Sequence, residues 1–348
     1  MKSSFGSSAT QLAHALAAAD VGTFNEYWGE NIRDNPRMQA DPLSEILTLV
    51  RAKHILSGGF WAGGTWAIRF PRPDAAKIAA IVQGACWLRL EGLNQPPVRL
   101  ETGDVILLNG RHAFIMCSDL DIEPTPATTV FADVDADGIA KWNDADEFFN
   151  IGGHIELDET CTSFLFDALP PLIHMRAKAA EAPALQWMLH QLISEMATER
   201  PGTMLASAQL AQLMLVHILR GHVDADDATP PGWLQALRDR RITTVLRLMH
   251  GNPSYPWLLE DLAKAAAMSR TNFALRFKEL VGVAPLTYLA QWRMRLAVRA
   301  LRENDKSLSE LGLSLGYTSE SAFSNAFKRI VGMAPKRYRS KMMMEAAS

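Results

Sequence analysis

Hydrophobic spacing divides the chain into a strand-like part and a helical part. Between residues 54 and 120, short apolar runs such as "GTWAIRFP" and "RHAFIMCS" are separated by Gly, Pro and Asn. This pattern predicts short strands joined by turns, as in a small all-β barrel or sandwich. After residue 160, apolar residues recur at helical spacing, for example in "LASAQLAQLMLVHILRGH". The spacing therefore predicts a multidomain chain, with a β domain first and helices after it.

The C-terminal region contains one unit twice, at an offset of 50 residues. The first copy is "SRTNFALRFKELVGVAPLTYL" and the second is "SESAFSNAFKRIVGMAPKRYR". So many identities at a single offset indicate a duplicated structural unit. The matched pairs are Ser269 and Ser319, Phe273 and Phe323, Phe277 and Phe327, Gly282 and Gly332, Pro285 and Pro335, and Tyr288 and Tyr338.

Each copy predicts a capped helix that follows another short helix. The serine suits an N-cap, the two phenylalanines form one buried stripe, and the glycine suits a left-handed C-cap. Short helices are predicted at residues 256–268 and 307–317, which gives two helix-turn-helix units. A helix over residues 285–304 would separate them by roughly 30 Å, close to the ~34 Å between successive major-groove faces of a duplex. Two recognition helices could thus enter adjacent grooves.

The C-terminal motif resembles a known family. Residues 241–339 resemble the AraC/XylS-type DNA-binding domain, and "GYTSESAFSNAFKRIVGMAPKRYR" has that family's order of Gly-Tyr, Phe, Phe-Lys-Arg, Gly, Pro and Tyr-Arg. The resemblance implies an all-α domain in which a long helix joins two helix-turn-helix units. It also implies double-stranded promoter DNA as a partner and, by default, activation through RNA polymerase.

The N-terminal part resembles the sensor domain of one branch of that family. The segment "GACWLRLEGLNQPPVRLETGDVILL" is similar to a cupin-type domain, within a looser resemblance over residues 42–250. This implies an all-β cupin-like barrel followed by helices, and a small-molecule effector bound in the barrel. In this branch, paired helices after the barrel form a dimer interface, which implies a homodimer. Packing of those helices onto their own barrel is the alternative.

The charge distribution fits a nucleic-acid partner for the C-terminal part. Residues 233–348 carry 19 Lys and Arg against 9 Asp and Glu, a net charge of +10. Residues 1–232 carry 16 against 29, a net charge of −13. A basic domain attracts polyanions, although a solvated face on an ordinary helical domain is the simpler alternative.

The predicted DNA contacts lie on the exposed sides of the two recognition helices. Their N-terminal halves are expected to face base edges, and basic residues nearer the C-terminal ends are expected to contact phosphates. The candidates for base reading are Arg270, Thr271, Ala274, Leu275, Glu320, Ser321, Ser324 and Asn325. The candidates for phosphate contact are Lys278, Lys328, Arg329, Arg337 and Arg339.

Four positions depart from the family pattern. Ala267 stands where the family has a turn glycine with positive φ, at a cost of about 1 kcal/mol. Gly312 stands where the family favours a helical alanine, at a similar cost. Leu275 and Asn325 stand where arginine is common. Because arginine reads guanine, asparagine prefers adenine and leucine contacts a thymine methyl, the usual base contacts are not expected here.

An effector pocket is predicted in the barrel from five residues, Trp66, Arg69, Trp87, Arg89 and His112. An arginine inside such a cavity would indicate an acidic ligand, whereas both arginines on the outer, wet face is the alternative. Catalytic cupins hold a metal with an H-x-H pair, and the sequence has none, so we expect no metal, cofactor or catalytic residue. An enzyme using His54, His112 and His154 as metal ligands, fused to a DNA-binding module, and a ligand-independent dimeric regulator remain alternatives.

The expected domain boundaries follow from these patterns. Residues 1–40 are expected to be an N-terminal extension, 41–160 the sensor barrel, 161–223 the helical and dimerisation region, 224–232 a linker and 233–348 the DNA-binding domain. The acidic stretch 119–147 is expected to be a long surface excursion. The sequence has no apolar run of membrane length and no secretory signal pattern, and its three widely spaced cysteines do not suggest a disulfide framework. We therefore expect a cytoplasmic protein with reduced thiols and no membrane partner.

Overall fold

The strands come first and the helices follow, as the hydrophobic spacing predicts. The computed structural model describes residues 41–50, 53–132, 134, 138–143, 146–156, 168–196, 200–225, 231–303 and 306–346. The predicted N-terminal extension, most of the predicted linker and Cys161 lie outside these residues. In the described part of the chain, no helix combines the length and apolar character needed to cross a bilayer.

Two sheets form the N-terminal domain. One sheet has the strand order β11-β6-β3-β10-β1-β9, and the other has the order β5-β4-β7-β2-β8. Neighbouring strands are antiparallel except for the β1–β9 and β2–β8 pairs, which are parallel. The bounds are β1 Lys53–Ala62, β2 Ala67–Phe70, β3 Ala76–Gln83, β4 Ala85–Leu90, β5 Val98–Glu101, β6 Val105–Leu108, β7 Phe114–Cys117, β8 Thr125–Pro126, β9 Ile139–Trp142, β10 Phe148–Glu156 and β11 Leu172–Met175.

Alternation along the strands decides which side chains fill the barrel. On β4, Cys86 and Leu88 are buried while Arg89 is exposed, so every second residue faces inward. Burial raises the pKa of the Cys86 thiol, which keeps it protonated. Aromatic rings dominate the interior: Phe60 packs against Trp66, Phe70, Phe131 and Phe148 with centroid distances of 5.5 to 6.2 Å. The N-terminal β domain predicted from the sequence is thereby confirmed.

The acidic stretch 119–147 is not a surface excursion. It contains β8, helix α2 (Ala127–Val130) and β9, and it places Val130 and Ala140 in the barrel core at 3% and 0% exposure. Strand β9 joins the sheet through parallel pairing with β1. The apolar residues between the acidic ones pack into the barrel core.

The region after the barrel is helical, but it begins with a strand. Strand β11 lies inside the segment expected to be helical, because it pairs with β6 and buries Ile173 and Met175. His174 on β11 lies 2.8 Å from the Asp104 carboxylate. Helices α3 (Ala182–Met196) and α4 (Thr203–Asp224) follow. The buried face of α4 packs on the barrel of its own chain, which is the alternative that the sequence left open.

Eight further helices form the C-terminal domain of the described chain. Among the described residues, helix α1 (Pro42–Val50) precedes the barrel. The C-terminal helices are α5 Trp233–Ala236, α6 Arg240–Gly251, α7 Leu259–Ala265, α8 Arg270–Val281, α9 Pro285–Glu303, α10 Leu308–Ser314, α11 Glu320–Val331 and α12 Pro335–Ala346. Helix α9 has 19 residues and spans about 28 Å, as predicted.

The hydrophobic core does not divide where the domains do. One continuous cluster joins Ile46 of α1 and Ile218 of α4 to Leu246 of α6 and Phe277 of α8. The second helix-turn-helix unit has a separate cluster, which includes Leu311 and Phe327. The first unit is therefore packed together with the sensor domain, whereas the second unit has its own core.

Candidate nucleic-acid interface and ligand cavity

Helix α8 is fixed at both ends and along one face. The Ser269 hydroxyl accepts a hydrogen bond from the Asn272 N–H at 3.4 Å, and Gly282 ends the helix in the left-handed region with φ 86°. Phe273 and Phe277 are fully buried, with their ring centroids 5.7 Å apart. Tyr288 of α9 packs edge-on against Phe277. With its apolar face held in the core, α8 presents its other face to solvent.

Helix α11 repeats this construction. Ser319 accepts from the Ala322 N–H at 3.1 Å, and Gly332 has φ 88°. Phe327 packs against Tyr338 at 5.8 Å and 69°, and in the first unit Phe277 packs against Tyr288 at 5.8 Å and 70°. The 50-residue repeat in sequence is thus a repeat in geometry, and the predicted caps and buried phenylalanines are confirmed.

The turns before the two recognition helices have the same unusual backbone. Ala267 has φ 51° and the equivalent Gly316 has φ 82°. The positive φ predicted for Ala267 is confirmed, so a non-glycine residue occupies the left-handed region here. A Cβ on Gly316 would also collide with the Ser254 carbonyl oxygen and lie 2.9 Å from the Arg293 guanidinium. Only glycine fits the second turn, because the two units approach each other closely at that point.

Gly312 has a packing role that its helix propensity does not reveal. A Cβ at this position would lie 3.0 Å from Cβ of Phe323, which is tighter than ordinary van der Waals contact. The missing methyl group therefore lets α10 approach α11 closely. The sequence interpretation of Gly312 as a simple cost omitted this contact.

Most of the predicted base-reading residues lie on the solvent faces of α8 and α11. Leu275 is 66% exposed. Ala274 and Ser324 are half-buried at the edges of these faces, and the Ser321 hydroxyl lies 3.0 Å from that of Ser319. The fully exposed members of the set are Arg270, Thr271, Leu275, Glu320, Ser321 and Asn325.

The predicted phosphate-binding residues differ in their exposure to solvent. Lys278, Lys328, Arg329 and Arg337 are exposed. Arg339 is half-buried, and its guanidinium donates to the Lys306 carbonyl oxygen at 2.7 Å. One side of that guanidinium therefore fixes the start of α12 to the segment before α10.

Two other arginines are tied into the domain and were missed by the sequence reasoning. Arg276 pairs with Asp239 and with Glu279, both at 3.1 Å, and so connects α8 to the N-terminus of α6. Arg293 donates to the carbonyl oxygens of Pro253 and Tyr255 at 2.6 and 2.9 Å. Glu279 is three residues from Arg276, but the other partners, Asp239, Pro253 and Tyr255, are distant in the chain from their arginines, so no local pattern signals these contacts.

The barrel has a cavity of about 330 Å³ between its two sheets. Its walls are mostly apolar and include the rings of Phe60, Phe70, Phe114 and Phe131. The polar groups on its wall come from Lys77, Thr128 and Asn150. This volume and lining are typical of a small-molecule site.

The five residues predicted to form the pocket do not line this cavity. Trp66 is buried in the core against Phe148, with centroids 4.8 Å apart. Arg69 and Arg89 are exposed on the outer face of the second sheet, where Arg69 lies 2.9 Å from Glu91. Trp87 shares that outer face, with the Arg99 guanidinium 5.3 Å from its ring, and His112 is half-buried in the loop before β7. Period-two alternation separated Trp66 from Arg69 and put Trp87 and Arg89 on one face, but it did not tell which face of either strand was inside.

Comparison with known proteins agrees with both halves of this architecture. The cupin family model matches residues 41–224, and a helix-turn-helix domain model matches residues 262–341. A protein of Streptomyces antibioticus named as an AraC-like transcription regulator is 40% identical over 303 residues, covering 87% of this chain and 99% of that protein. The chain belongs to the AraC-type family of transcription regulators.

Other AraC-type proteins align over much of the chain as well. The HTH-type transcriptional regulator AlkR of Acinetobacter baylyi is 30% identical, covering 80% of this chain and 92% of that protein. Among solved structures, ToxT from Vibrio cholerae O395 aligns over 85% of this chain and 98% of its own, with 13% identity and a TM-score of 0.33. The DNA-binding domain of AdpA, solved with a target DNA, covers 31% of this chain and 96% of its own, with 32% identity and a TM-score of 0.29.

The histidines of this AraC-type regulator do not gather around a metal site in the described structure. No three His, Cys, Asp or Glu side chains of the described residues are grouped closely enough to hold a metal ion. His112 lies in the loop before β7 and His154 on β10, while the side chain of His54 is outside the described residues.

A histidine–carboxylate contact joins the sensor and DNA-binding parts of this AraC-type chain. His250 of α6 is buried, stacks on Trp292 at 3.7 Å and lies 2.9 Å from the Tyr288 hydroxyl. The Glu45 carboxylate of α1 lies 3.0 Å from its other ring nitrogen, although the two groups are not aligned as a well-directed hydrogen bond. Burial lowers the pKa of His250, and Glu45 opposes that shift only in part.

Proposed function

We propose that this DNA-binding regulator is a transcription activator whose DNA binding responds to a small-molecule effector held in the barrel. Activation through RNA polymerase is the default of the resembling family. The observation that carries the proposal is that one chain combines an apolar cavity with two solvent-facing recognition helices. A regulator of this kind acts in the cytoplasm, where promoter DNA is available.

The proposed DNA contacts follow the exposed faces. On α8, Arg270 and Thr271 lie in the first turn and Leu275 lies one turn further on, where its side chain suits a thymine methyl group. On α11, Asn325 holds the equivalent position to Leu275 and suits adenine. The proposed set for base reading is Arg270, Thr271, Ala274, Leu275, Glu320, Ser321, Ser324 and Asn325, and the proposed set for phosphates is Lys278, Lys328, Arg329, Arg337 and Arg339.

The effector would act through the packing between the two parts. A ligand shifts an equilibrium only by its difference in affinity between the two states. The continuous core from α1 and the barrel to α6 and α8 supports such a coupling, because Ile78 lies both in that core and in the cavity wall. The second helix, α11, would follow through α9.

We also propose that the regulator is a homodimer. While one face of α4 packs on the barrel, the opposite face exposes Leu205 and Leu213 at 68% and 44%. On α3, Trp187 is 59% exposed. Exposed apolar side chains on adjacent helices favour burial against a second copy of the chain.

The most informative test is to map the sites that the protein binds across the genome of its host. A bound fragment is then used to measure the DNA affinity of the purified full chain, with and without metabolites of the neighbouring genes. We expect discrete promoter sites and at least one metabolite that changes the affinity. The absence of sequence-specific sites would contradict DNA regulation, and an affinity that no metabolite changes would favour a ligand-independent dimeric regulator.

A separate measurement addresses catalysis. Metal analysis of the purified protein is expected to find no stoichiometric iron, manganese or zinc. A stoichiometric metal bound through His112 or His154 would contradict the non-enzymatic proposal and favour a cupin enzyme fused to a DNA-binding module.

A further inference from the structure

The effector class can be narrowed from the chemistry of the cavity. Phe70 and Phe114 stack face to face in its wall, with centroids 4.6 Å apart. Together with Phe60, Met116 and Leu108 they form an apolar chamber. Binding of any apolar group in such a chamber is favourable because it removes apolar surface from water, but the apolar walls do not fix the orientation of that group. Specificity must come from the polar groups.

Lys77 is the charged group of this chamber. It projects from β3 and is half-buried, and burial lowers the pKa of its ammonium. None of the described residues that line the cavity is Asp or Glu. An ammonium in apolar surroundings without a counter-charge is destabilised, so an anion at this position would relieve that cost.

A second cavity of about 310 Å³ shares Phe70, Pro71, Lys77 and Phe114 with the first. It adds two basic residues, Arg72 and His154, and one acidic residue among its described lining, Asp74. His154 on β10 lies directly opposite Lys77 in the β3–β10 ladder. Lys77, Arg72 and His154 therefore lie where the first cavity meets the second.

We propose that the barrel binds a small amphipathic carboxylate. Its apolar part lies among the phenylalanines of the first cavity. Its carboxylate is bound by Lys77, with Arg72 and His154 on the side of the second cavity. A single ammonium in a chamber of this size matches one negative charge. This inference rests on the proposed function, since it names the class of effector that the barrel would sense.

Calorimetric titration of the purified full chain with three probes of equal length tests the proposal. The probes are octanoate, octanol and octylammonium. We expect octanoate to bind about tenfold or more tightly than octanol, because a charge-assisted hydrogen bond is stronger than a neutral one, and octylammonium to bind most weakly. Equal affinities for octanoate and octanol, or no binding of any probe, would overturn the carboxylate assignment.

Matched variants locate the anion. Lys77→Met is expected to remove the preference for octanoate over octanol, and Lys77→Arg to retain it. Lys141→Met is the control, since Lys141 is an exposed lysine on β9 outside both cavities. A preference that survives Lys77→Met would overturn the proposal. Thermal unfolding of each variant checks the fold, and Lys77→Met is expected to be at least as stable as the wild type because it removes a desolvated charge.

A cavity-filling variant tests the apolar part. Ala79 lies in the cavity wall, so Ala79→Leu should weaken octanoate and octanol alike. Unchanged affinities would place the binding elsewhere and overturn the site.

The same measurements separate this proposal from the proposed function. If a neutral metabolite changes DNA affinity and the chain shows no preference for an anion, the carboxylate assignment fails and the effector-responsive function stands. If octanoate binds with the expected preference but no metabolite changes DNA affinity, the site stands and the regulatory function fails.

Discussion

Ala267 adopts a backbone conformation that suits glycine better than alanine. At φ 51° its methyl group crowds the neighbouring carbonyl oxygen, a strain of about 1 kcal/mol that glycine avoids. Ala267 is exposed, so its replacement removes no core contact. We expect Ala267→Gly to raise the free energy of unfolding by about 0.5–1 kcal/mol in urea denaturation. A decrease would show that the methyl group makes a stabilising contact.

The equivalent residue in the second unit gives the matched opposite case. Gly316→Ala adds the same left-handed strain and also drives a methyl group into the Ser254 carbonyl oxygen. We expect the free energy of unfolding to fall by about 2 kcal/mol or more, measured in the same way. If the free energy of unfolding falls by no more than it rises in Ala267→Gly, the backbone around Ser254 moves to accommodate the methyl group at little cost.

At the residue scale, the sequence predicts the backbone conformation of a residue better than the side of the sheet that its side chain faces. The positive φ of Ala267 follows from the family pattern, which has a turn glycine at this position, and Gly316 has a positive φ in the second turn as well. The outward direction of Arg69 and Arg89 does not follow from the strand pattern, because alternation separates two faces without naming the inner one. Lys77, which does line the cavity, gave no signal because a single lysine in an apolar strand resembles an exposed residue.

The two basic residues in the last turn of α11 are expected to contact phosphates. Lys328 and Arg329 are both exposed, and each phosphate contact releases about one counterion. Replacing both with alanine should weaken binding to all DNA sequences and reduce the slope of log affinity against log salt by roughly 2. Fluorescence anisotropy over a salt series measures this slope. Lys141→Ala on the barrel is the control, and a slope as steep as that of the control would remove both residues from the interface.

Asn325 is the residue of α11 at which the proposed base reading can be tested. It is exposed in the middle of α11, where arginine would present a guanine-reading fork in place of an adenine-reading amide. We expect Asn325→Arg to change base preference at one position, with discrimination of about 1–3 kcal/mol between bases. Selection from a randomised DNA library reports the preference. An identical binding profile would exclude Asn325 from base reading.

At the element scale, the duplicated helices were predictable and the late strands were not. The recognition helices begin one residue after the predicted serine caps, because the repeat marks both ends. Helix α7 is shorter than predicted, since the residues from Pro256 to Leu258 precede it in extended form and Asp261 accepts from the Leu258 N–H. Strands β9 and β11 depend on pairing with distant strands, which no local pattern records.

At the scale of the whole molecule, the buried His250 should make stability depend on pH. Its pKa is lowered mainly by burial, and Arg295 acts in the same direction while Glu45 opposes it. Below about pH 6.5 the unfolded chain binds a proton that the folded chain resists, so the free energy of unfolding falls as the pH decreases from there towards the folded pKa. Above about pH 6.5 this contribution is fully present.

Urea unfolding at about pH 7.5 and about pH 5.5 measures the effect, with His250→Gln as the comparison. The variant removes the titrating group, so we expect it to lose less stability over this interval than the wild type does. An equal loss in both proteins would assign the pH dependence to other groups.

The overall two-domain architecture could be predicted, but the way its parts share a core could not. The repeat and the strand pattern indicate a β sensor and a helical DNA-binding domain, as observed. The contact between Glu45 and His250 joins residues that are far apart in the chain. Charge counts divided the chain at residue 233, whereas the hydrophobic cluster crosses that boundary.

The separate core of the second helix-turn-helix unit has an evolutionary consequence. Substitutions on the solvent face of α11 are separated from the barrel by a different hydrophobic cluster, so their effects on stability add independently of changes around the cavity. The proposed base-reading face of α11 can therefore change while the lining of the cavity stays the same. Buried positions of α8 share a core with the sensor domain, so the effects of their substitution on stability are coupled to that domain.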